Sequence, residues 1–154
     1  MYKRQLHGQG CYLELYNPTD HPIDLKEYSL LVHPAVGKTT PNTINLSKSG
    51  IVLAPQEYLL LHQGGSLAAT YPGKKYPVNK MYFDGNRAIS LRNNGTEIEI
   101  LGVPKNKQTE KDLYSNKLVR KKGIVNPNKT FSLKEWDKTS SLQDLNGFYM
   151  PNRQ

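Results

Sequence analysis

One carboxylate–imidazole pair stands out among the residues that could do chemistry. Asp20 directly precedes His21 in the stretch YNPTDHPID, which covers residues 16–24. An imidazole held by a carboxylate is the arrangement that orients a general base in hydrolytic enzymes. With Pro18 and Pro22 around it, the same pair also fits a rigid polar turn whose side chains bond nearby backbone N–H groups. Because adjacent residues in a turn point in different directions, we expect the two side chains to diverge and interpret the stretch as a turn.

Local catalytic and metal-binding motifs are absent from the rest of the sequence. The four histidines lack H-x-H, H-x3-H and H-E-x-x-H spacing, and no G-x-S-x-G elbow, phosphate-binding loop or G-x-G-x-x-G fingerprint occurs. Cys11 is the only cysteine, which excludes internal disulfides and cysteine-rich zinc sites. We therefore predict a non-catalytic protein without cofactor or metal. A hydrolase site assembled from distant loops, with His21 or His62 near a carboxylate, stays an alternative.

The basic residues are the second candidate for function. The 154-residue chain has a formal net charge of +8. Residues 1–101 carry ten Lys/Arg against eight Asp/Glu, and residues 102–154 carry eleven against five. The candidate polyanion-binding residues in this basic third are Lys117, Arg120, Lys121 and Lys122. Their attraction for a polyanion would depend steeply on salt. The alternative is an edge strand whose lysines only prevent aggregation.

Short strands separated by turns must position these groups. Apolar runs bounded by Gly, Pro and Asn indicate strands over residues 12–16, 25–32, 43–46, 58–61, 88–92, 97–100 and 117–120. Two segments, Asp84-Gly85-Asn86 and Asn93-Asn94-Gly95, predict tight turns. The run at 58–61 is continuously apolar, which is typical of a strand buried on both faces. In Glu97-Ile98-Glu99-Ile100, the period of two predicts glutamates in solvent and isoleucines in the core. The whole pattern predicts one all-β domain, an antiparallel sandwich.

Helices are expected only as single turns. Ser66 precedes one short apolar segment, and Ser132 with Glu135 three residues later forms a capping-box pattern before Trp136. A run of about 18 apolar residues, which a membrane-spanning helix needs, does not occur, so we predict no membrane insertion. The basic N-terminus has no apolar segment of the signal-peptide kind after it.

Four stretches in order resemble the lamin tail domain in its bacterial form. They are YLELYNPTDHPIDLKEYSL, IVLAPQEYLLL, YFDGNRAISLRNNGTEIEILGV and KLVRKKGIVNPNKTFSLKEW. The resemblance implies an immunoglobulin-like β-sandwich that acts as a non-catalytic interaction or tethering module. In bacteria such domains are commonly attached to secreted or surface proteins, including nucleases and other hydrolases. It therefore implies a secreted or cell-surface location and an unknown protein partner or linked catalytic domain, with nucleic acid or another polyanion as the alternative ligand.

The N-terminal segment departs from this family. Its members usually have a strand before the segment that reads Glu-Leu-Tyr-Asn here, whereas residues 1–10 (MYKRQLHGQG) lack strand character. We therefore expect an atypical, foreign or disordered start over residues 1–10, a sandwich over 11–148 and a tail over 149–154. A first strand that is missing or replaced would leave an open sheet edge, which favours marginal stability or a homodimer through that edge.

Overall fold

The described part of the chain consists mostly of strands. The computed structural model describes residues 2–6, 10–35, 37–81, 87–104 and 117–139. The strands are β1 (Tyr2–Leu6), β2 (Gly10–Tyr16), β3 (Ile23–Asp24), β4 (Tyr28–Val32), β5 (Asn42–Asn45), β6 (Val52–Leu53), β7 (Tyr58–Gln63), β8 (Lys74–Pro77), β9 (Ile89–Asn93), β10 (Thr96–Leu101), β11 (Lys117–Arg120) and β12 (Trp136–Thr139). The described helices are α1 (Leu67–Thr70) and two 3₁₀-helices, Leu25–Glu27 and Leu133–Glu135.

Two sheets pack against each other across the main core. The larger has six strands in the order β12-β11-β1-β2-β7-β8, the smaller has four in the order β10-β9-β4-β5, and β3 pairs with β6. Leu13, Leu59 and Leu118 of the larger sheet pack with Leu30 of the smaller one in a single buried cluster. This sandwich-like packing confirms the predicted all-β class. Among the described pairs only β7 and β8 are parallel, which the turn pattern does not predict.

Strands β2 and β7 of the larger sheet are buried on both faces. Leu59 and Leu61 face the smaller sheet, whereas Leu60 lies in a second buried cluster with residues of α1. Glu14 is fully buried on this outer face, where the Tyr71 hydroxyl donates a hydrogen bond of 2.6 Å to its carboxylate. The continuously apolar run of β7 is therefore explained as predicted, because neither of its faces meets solvent.

The N-terminal segment differs from its prediction. Residues Tyr2–Leu6 form β1, which pairs antiparallel with β2 along its whole length and with β11 at Lys3 and Leu118. The side-chain pattern gives no signal for this strand, because Lys3, Arg4 and Gln5 separate Tyr2 from Leu6. Its ladder is made by backbone N–H and C=O groups, which any of these residues supplies. The first strand is therefore present, and the open edge that was the reason to expect marginal stability or a homodimer does not exist at this position. The homodimer stays a prediction, but the open edge no longer supports it.

Two local expectations can be compared directly with the backbone. Residues 25–32 do not form one continuous strand. Leu25–Glu27 is a 3₁₀-turn because the Asp24 carboxylate accepts a hydrogen bond from the Lys26 N–H at 2.9 Å, and β4 begins only afterwards. The tight turn between β9 and β10 is confirmed, since Asn94 and Gly95 have φ values of 49° and 77°. The predicted turn at 84–86, the domain end at 140–148 and the tail at 149–154 lie outside the described residues.

Replacing Gly10 by alanine tests the entry into β2. Gly10 has a φ of +100°, and a Cβ there would lie 2.6 Å from the Gly64 carbonyl oxygen. Gly50→Ala is the matched control, because Gly50 has a φ of +63° and open space around it. We expect the free energy of unfolding of the control to fall only by the cost of backbone strain, about 1–2 kcal/mol. Gly10→Ala should lose more than about 3 kcal/mol in urea unfolding, because strain and a backbone displacement add. Equal losses in the two variants would contradict the close approach.

Candidate functional site

Arg120 is an internal residue, which corrects its assignment to the polyanion-binding cluster. It is only 6% exposed, and it extends to the same face of β11 as Leu118, toward the smaller sheet. Val119 points to the opposite face and is buried in the second cluster. Alternation along β11 therefore does not separate a solvent face from a core face, since this sheet has no solvent face here. Arg120 cannot contact a polyanion in the folded protein.

Four groups contact the buried guanidinium of Arg120. Its Nη1 donates to the Glu99 carboxylate, and its Nη2 donates to Glu135 at 2.7 Å and to the Asn126 carbonyl at 3.0 Å. The guanidinium also lies 5.2 Å from the centre of the Trp136 ring, within the range of a cation–π contact. We call Arg120, Glu99 and Glu135 the buried ion cluster. It joins β10, β11, the 3₁₀-helix Leu133–Glu135 and the connection before that helix.

The position of Glu99 differs from the simple alternation expected in β10. The β9–β10 pairing shifts register between Glu97 and Glu99. An extra residue in one strand of a pair reverses which side chains face inward from that point on. Glu99 is therefore buried beside Arg120, while Ile98 remains half exposed. The predicted capping box is also wrong, since Ser132 makes no side-chain cap bond and the carboxylate of Glu135 accepts from Arg120 and Asn128.

The lysines that follow β11 remain at the surface. Lys121 and Lys122 lie in an exposed turn directly after the strand, where the Ile124 N–H donates to the Lys121 carbonyl. Lys117 is the first residue of β11, and its side chain is outside the described structure. The predicted basic cluster is thus divided: Arg120 is internal, whereas Lys121 and Lys122 are accessible to a partner.

A cavity of about 220 Å³ lies next to the buried ion cluster. We call it the inter-sheet pocket. Its buried walls are Leu15, Leu25 and Leu53, and its partly exposed walls are Ile23, Tyr28, Leu91, Ile98 and Ile124. Val125, 49% exposed, and Pro127 extend the apolar lining to the surface, and Glu99 and Arg120 supply polar lining. A small apolar site with a few polar groups is the usual form of a binding pocket.

Asn17 fixes the turn that forms another wall of the pocket. It is fully buried, and its amide donates to the carbonyls of His21 at 2.8 Å and Leu53 at 3.1 Å. Its side-chain oxygen Oδ1 accepts from the Thr19 N–H at 3.0 Å. The YNPTDHPID stretch is therefore a turn, as predicted from its sequence. The buried side-chain amide of Asn17 holds the turn together and connects it to β6. Pro18 and Thr19 line the pocket because of this arrangement.

The Asp20 and His21 side chains do not diverge, in contrast to the expectation. The His21 Nδ1 lies 3.1 Å from the Asp20 carboxylate, and this contact lowers the pKa of Asp20 below its usual value. Both side chains are largely exposed to solvent. A general base benefits from a site that excludes water and holds it in place. The two side chains are close enough for such chemistry, but their surroundings do not exclude water.

Two other histidines sit in more buried surroundings. The His33 Nε2 lies 2.7 Å from the Ser90 hydroxyl, and partial burial lowers the pKa of His33. Ser90 is 0% exposed, so its hydroxyl is out of reach of a substrate. Burial also lowers the pKa of His62, with Lys75 adding to the effect. Within the described ranges, no group of three or more His, Cys, Asp or Glu residues could hold a metal ion, and no helix is long and apolar enough to span a membrane.

Removing the Arg120 guanidinium should destabilise the fold strongly. Arg120→Met would leave the Glu99 carboxylate buried without its cation, and breaking a buried ion pair in this way costs about 3–5 kcal/mol. Lys122→Met is the control at an exposed neighbouring site and should stay within about 0.5 kcal/mol of the parent. Chemical denaturation followed by tryptophan fluorescence measures both, because Trp136 packs against Arg120. A loss for Arg120→Met no larger than that of the control would contradict its burial.

No protein-family model, curated protein or solved structure matches this chain. The lamin-tail resemblance and the immunoglobulin-like form of the sandwich therefore stay predictions from the sequence.

Proposed function

We propose that this chain is a non-catalytic interaction and tethering module that binds its partner at the inter-sheet pocket. The observation that carries the proposal is the pocket itself, a mainly apolar space with a few polar groups in its wall that opens to the surface beside Val125, which is the usual form of a binding site. An apolar cavity of about 150 Å³ is sufficient to bind benzene. The pocket of about 220 Å³ therefore fits one ring system or one large apolar side chain.

The surroundings of the pocket support binding rather than catalysis. The charged groups that line the pocket, Arg120 and Glu99, are bonded to each other. The one exposed imidazole–carboxylate pair of the adjoining turn, His21 and Asp20, is open to solvent. A tethering module attached to a secreted or surface enzyme, the role implied by the lamin-tail resemblance, needs only such a binding site. The secreted location and a linked catalytic domain are part of this proposal.

Titration with a neutral solvatochromic naphthalene dye tests the proposal. We expect blue-shifted fluorescence that saturates at one dye per chain. Val125→Asn should weaken binding about tenfold, because it removes two methyl groups that contribute about 0.8 kcal/mol each when a ligand covers them. Val52→Asn is the matched control, since Val52 is similarly exposed at 45% and does not line the pocket. Far-UV circular dichroism would verify that both variants are folded.

Two results would contradict this assignment of the site. The first is dye fluorescence that never saturates. The second is equal weakening by Val125→Asn and Val52→Asn, since a generic apolar surface would respond to both changes.

Polyanion binding is the second candidate function, and the exposure of Lys121 and Lys122 favours it. The lysines act without Arg120, whose charge is internal. The sequence from residue 121 to residue 134 contains four lysines and no acidic residue. This segment is therefore a local concentration of positive charge on a surface that a polyanion can reach.

DNA binding at several salt concentrations tests this second function. Labelled duplex DNA should bind at 50 mM salt and dissociate by about 0.2 M, as counterion release requires. The double variant Lys121→Ala/Lys122→Ala should reduce the slope of log affinity against log salt by about 2, which is roughly one for each lost phosphate contact. The control is Lys26→Ala/Lys48→Ala, which removes two exposed lysines elsewhere. An equal effect of both double variants would show attraction by net charge alone.

A further inference from the structure

The wall of the inter-sheet pocket and the basic surface belong to one segment. Ile124, Val125 and Pro127 line the pocket, and Lys121 and Lys122 are exposed two to six residues before them. The Lys121 N–H donates to the Glu135 carbonyl at 2.9 Å. The backbone of this segment is thereby anchored beside the buried ion cluster. The apolar pocket wall and the exposed lysines are therefore neighbours on one surface, although they belong to two different candidate functions.

The exposed charges beside the pocket determine which sign of charge a partner must carry. Arg120 directs its charge to Glu99 and Glu135 inside the protein, so the exposed charge of the 121–127 segment comes from Lys121 and Lys122. On the adjoining turn, Asp20 contacts His21 and lies in solvent. Complementary potentials bring partners together and set their orientation. A partner that lies over the 121–127 segment should therefore be acidic.

The dimensions of the pocket favour a peptide over a small-molecule ligand. Pockets that bury most of a drug-sized ligand have volumes of about 300–1,000 Å³, whereas this one has about 220 Å³. The exposed surface of Val125 continues the apolar lining outward, where a flanking main chain would pass. One large side chain filling a pocket at the centre of a contact is the usual anchor of a protein interface.

At this end of β10, a peptide docks by an anchoring side chain and not by adding a strand to the edge of the sheet. The Ile100 N–H is already bonded to the Asn128 carbonyl at 3.0 Å, so the connection after β11 covers this part of the outer edge of β10. An added strand would need that N–H for its own ladder. A peptide at this end of β10 therefore binds through its side chains.

We infer that the inter-sheet pocket and Lys121 and Lys122 together recognise an acidic protein segment that carries one large apolar side chain as its anchor. This inference rests on the proposed function of the pocket and adds the chemistry of the partner. The anchor fills the pocket beside Val125, and carboxylates next to the anchor lie against the lysines. Either feature alone supplies only part of the binding.

Three fluorescein-labelled synthetic peptides test the inference. The first has ten residues with a central tryptophan and two glutamates on each side, in a Gly/Ser background. In the second, serine replaces the tryptophan, and in the third, glutamines replace the glutamates. Fluorescence anisotropy at 50 mM salt should give the first peptide an affinity at least tenfold higher than either of the others. Raising the salt to 200 mM should weaken the first peptide and leave the third nearly unchanged.

Protein variants assign each contribution to its residues. Val125→Asn should lower the affinity of the tryptophan peptide about tenfold toward that of the serine peptide. Lys121→Gln/Lys122→Gln should lower it toward that of the glutamine peptide. The matched controls, Val52→Asn and Lys26→Gln/Lys48→Gln, should stay within about twofold of the parent, because both sets are exposed and outside the pocket.

The possible failures are distinguishable. Equal affinity of the tryptophan and serine peptides would mean attraction between charges alone and would overturn the inference. Equal affinity of the acidic and neutral peptides would also overturn it, because the lysines would then have no role. If the naphthalene dye still binds in these cases, the proposed function of the pocket stands and only the partner chemistry is wrong. Failure of both dye and peptides removes the pocket itself as a binding site.

Discussion

The buried guanidinium of Arg120 is the interaction on which this end of the sandwich depends. A charge inside a protein must be paired and hydrogen-bonded, and Arg120 obtains its partners from Glu99 on β10, Glu135 on the 3₁₀-helix and the carbonyl of Asn126. Each partner comes from a different part of the chain. Their positions are therefore coupled, and the segment from Lys121 to Asn128 is fixed against the smaller sheet.

The inter-sheet pocket lies beside this constraint. Glu99 and Arg120 of the buried ion cluster line it, together with apolar residues of both sheets. Asn17 also lines it, and its side-chain amide holds the turn before β3 to the carbonyl of Leu53. Two hydrogen-bonded polar arrangements thus contribute to the walls of one mainly apolar space. An apolar space bounded in this way can bind a ligand without rearrangement, which reduces the entropy lost on binding.

Much of the fold follows from short-range patterns in the sequence, and the exceptions have physical reasons. The run Tyr58–Leu61 is apolar throughout, and the structure buries it on both sides. Asn94-Gly95 predicts its tight turn because both residues tolerate positive φ. Glu99 does not follow its alternation, because a register shift at Ile98 has no mark in the residue types. Likewise β1 has no apolar alternation, because Lys3, Arg4 and Gln5 separate Tyr2 from Leu6, and the strand becomes visible only in its backbone pairing with β2.

The candidate site is harder to predict than the strands, because it joins residues distant in the chain. Lys121 and Lys122 are recognisable from charge alone, but the internal role of Arg120 requires knowledge that both faces of the larger sheet are covered. The available signal for the pocket is Ile124-Val125, two apolar β-branched residues in a polar segment. Nothing local links them to Leu53 or Leu91, which complete the walls.

Methyl NMR of the protein with the neutral naphthalene dye tests most directly whether the pocket is a binding site. Binding there should shift the methyl resonances of Leu53, Leu91, Ile98, Ile124 and Val125, which line the pocket. The methyl groups of Leu60, Leu67 and Val119, in the cluster on the other face of the larger sheet, should not move. Shifts confined to that second cluster, or no shifts at saturating dye, would contradict the account.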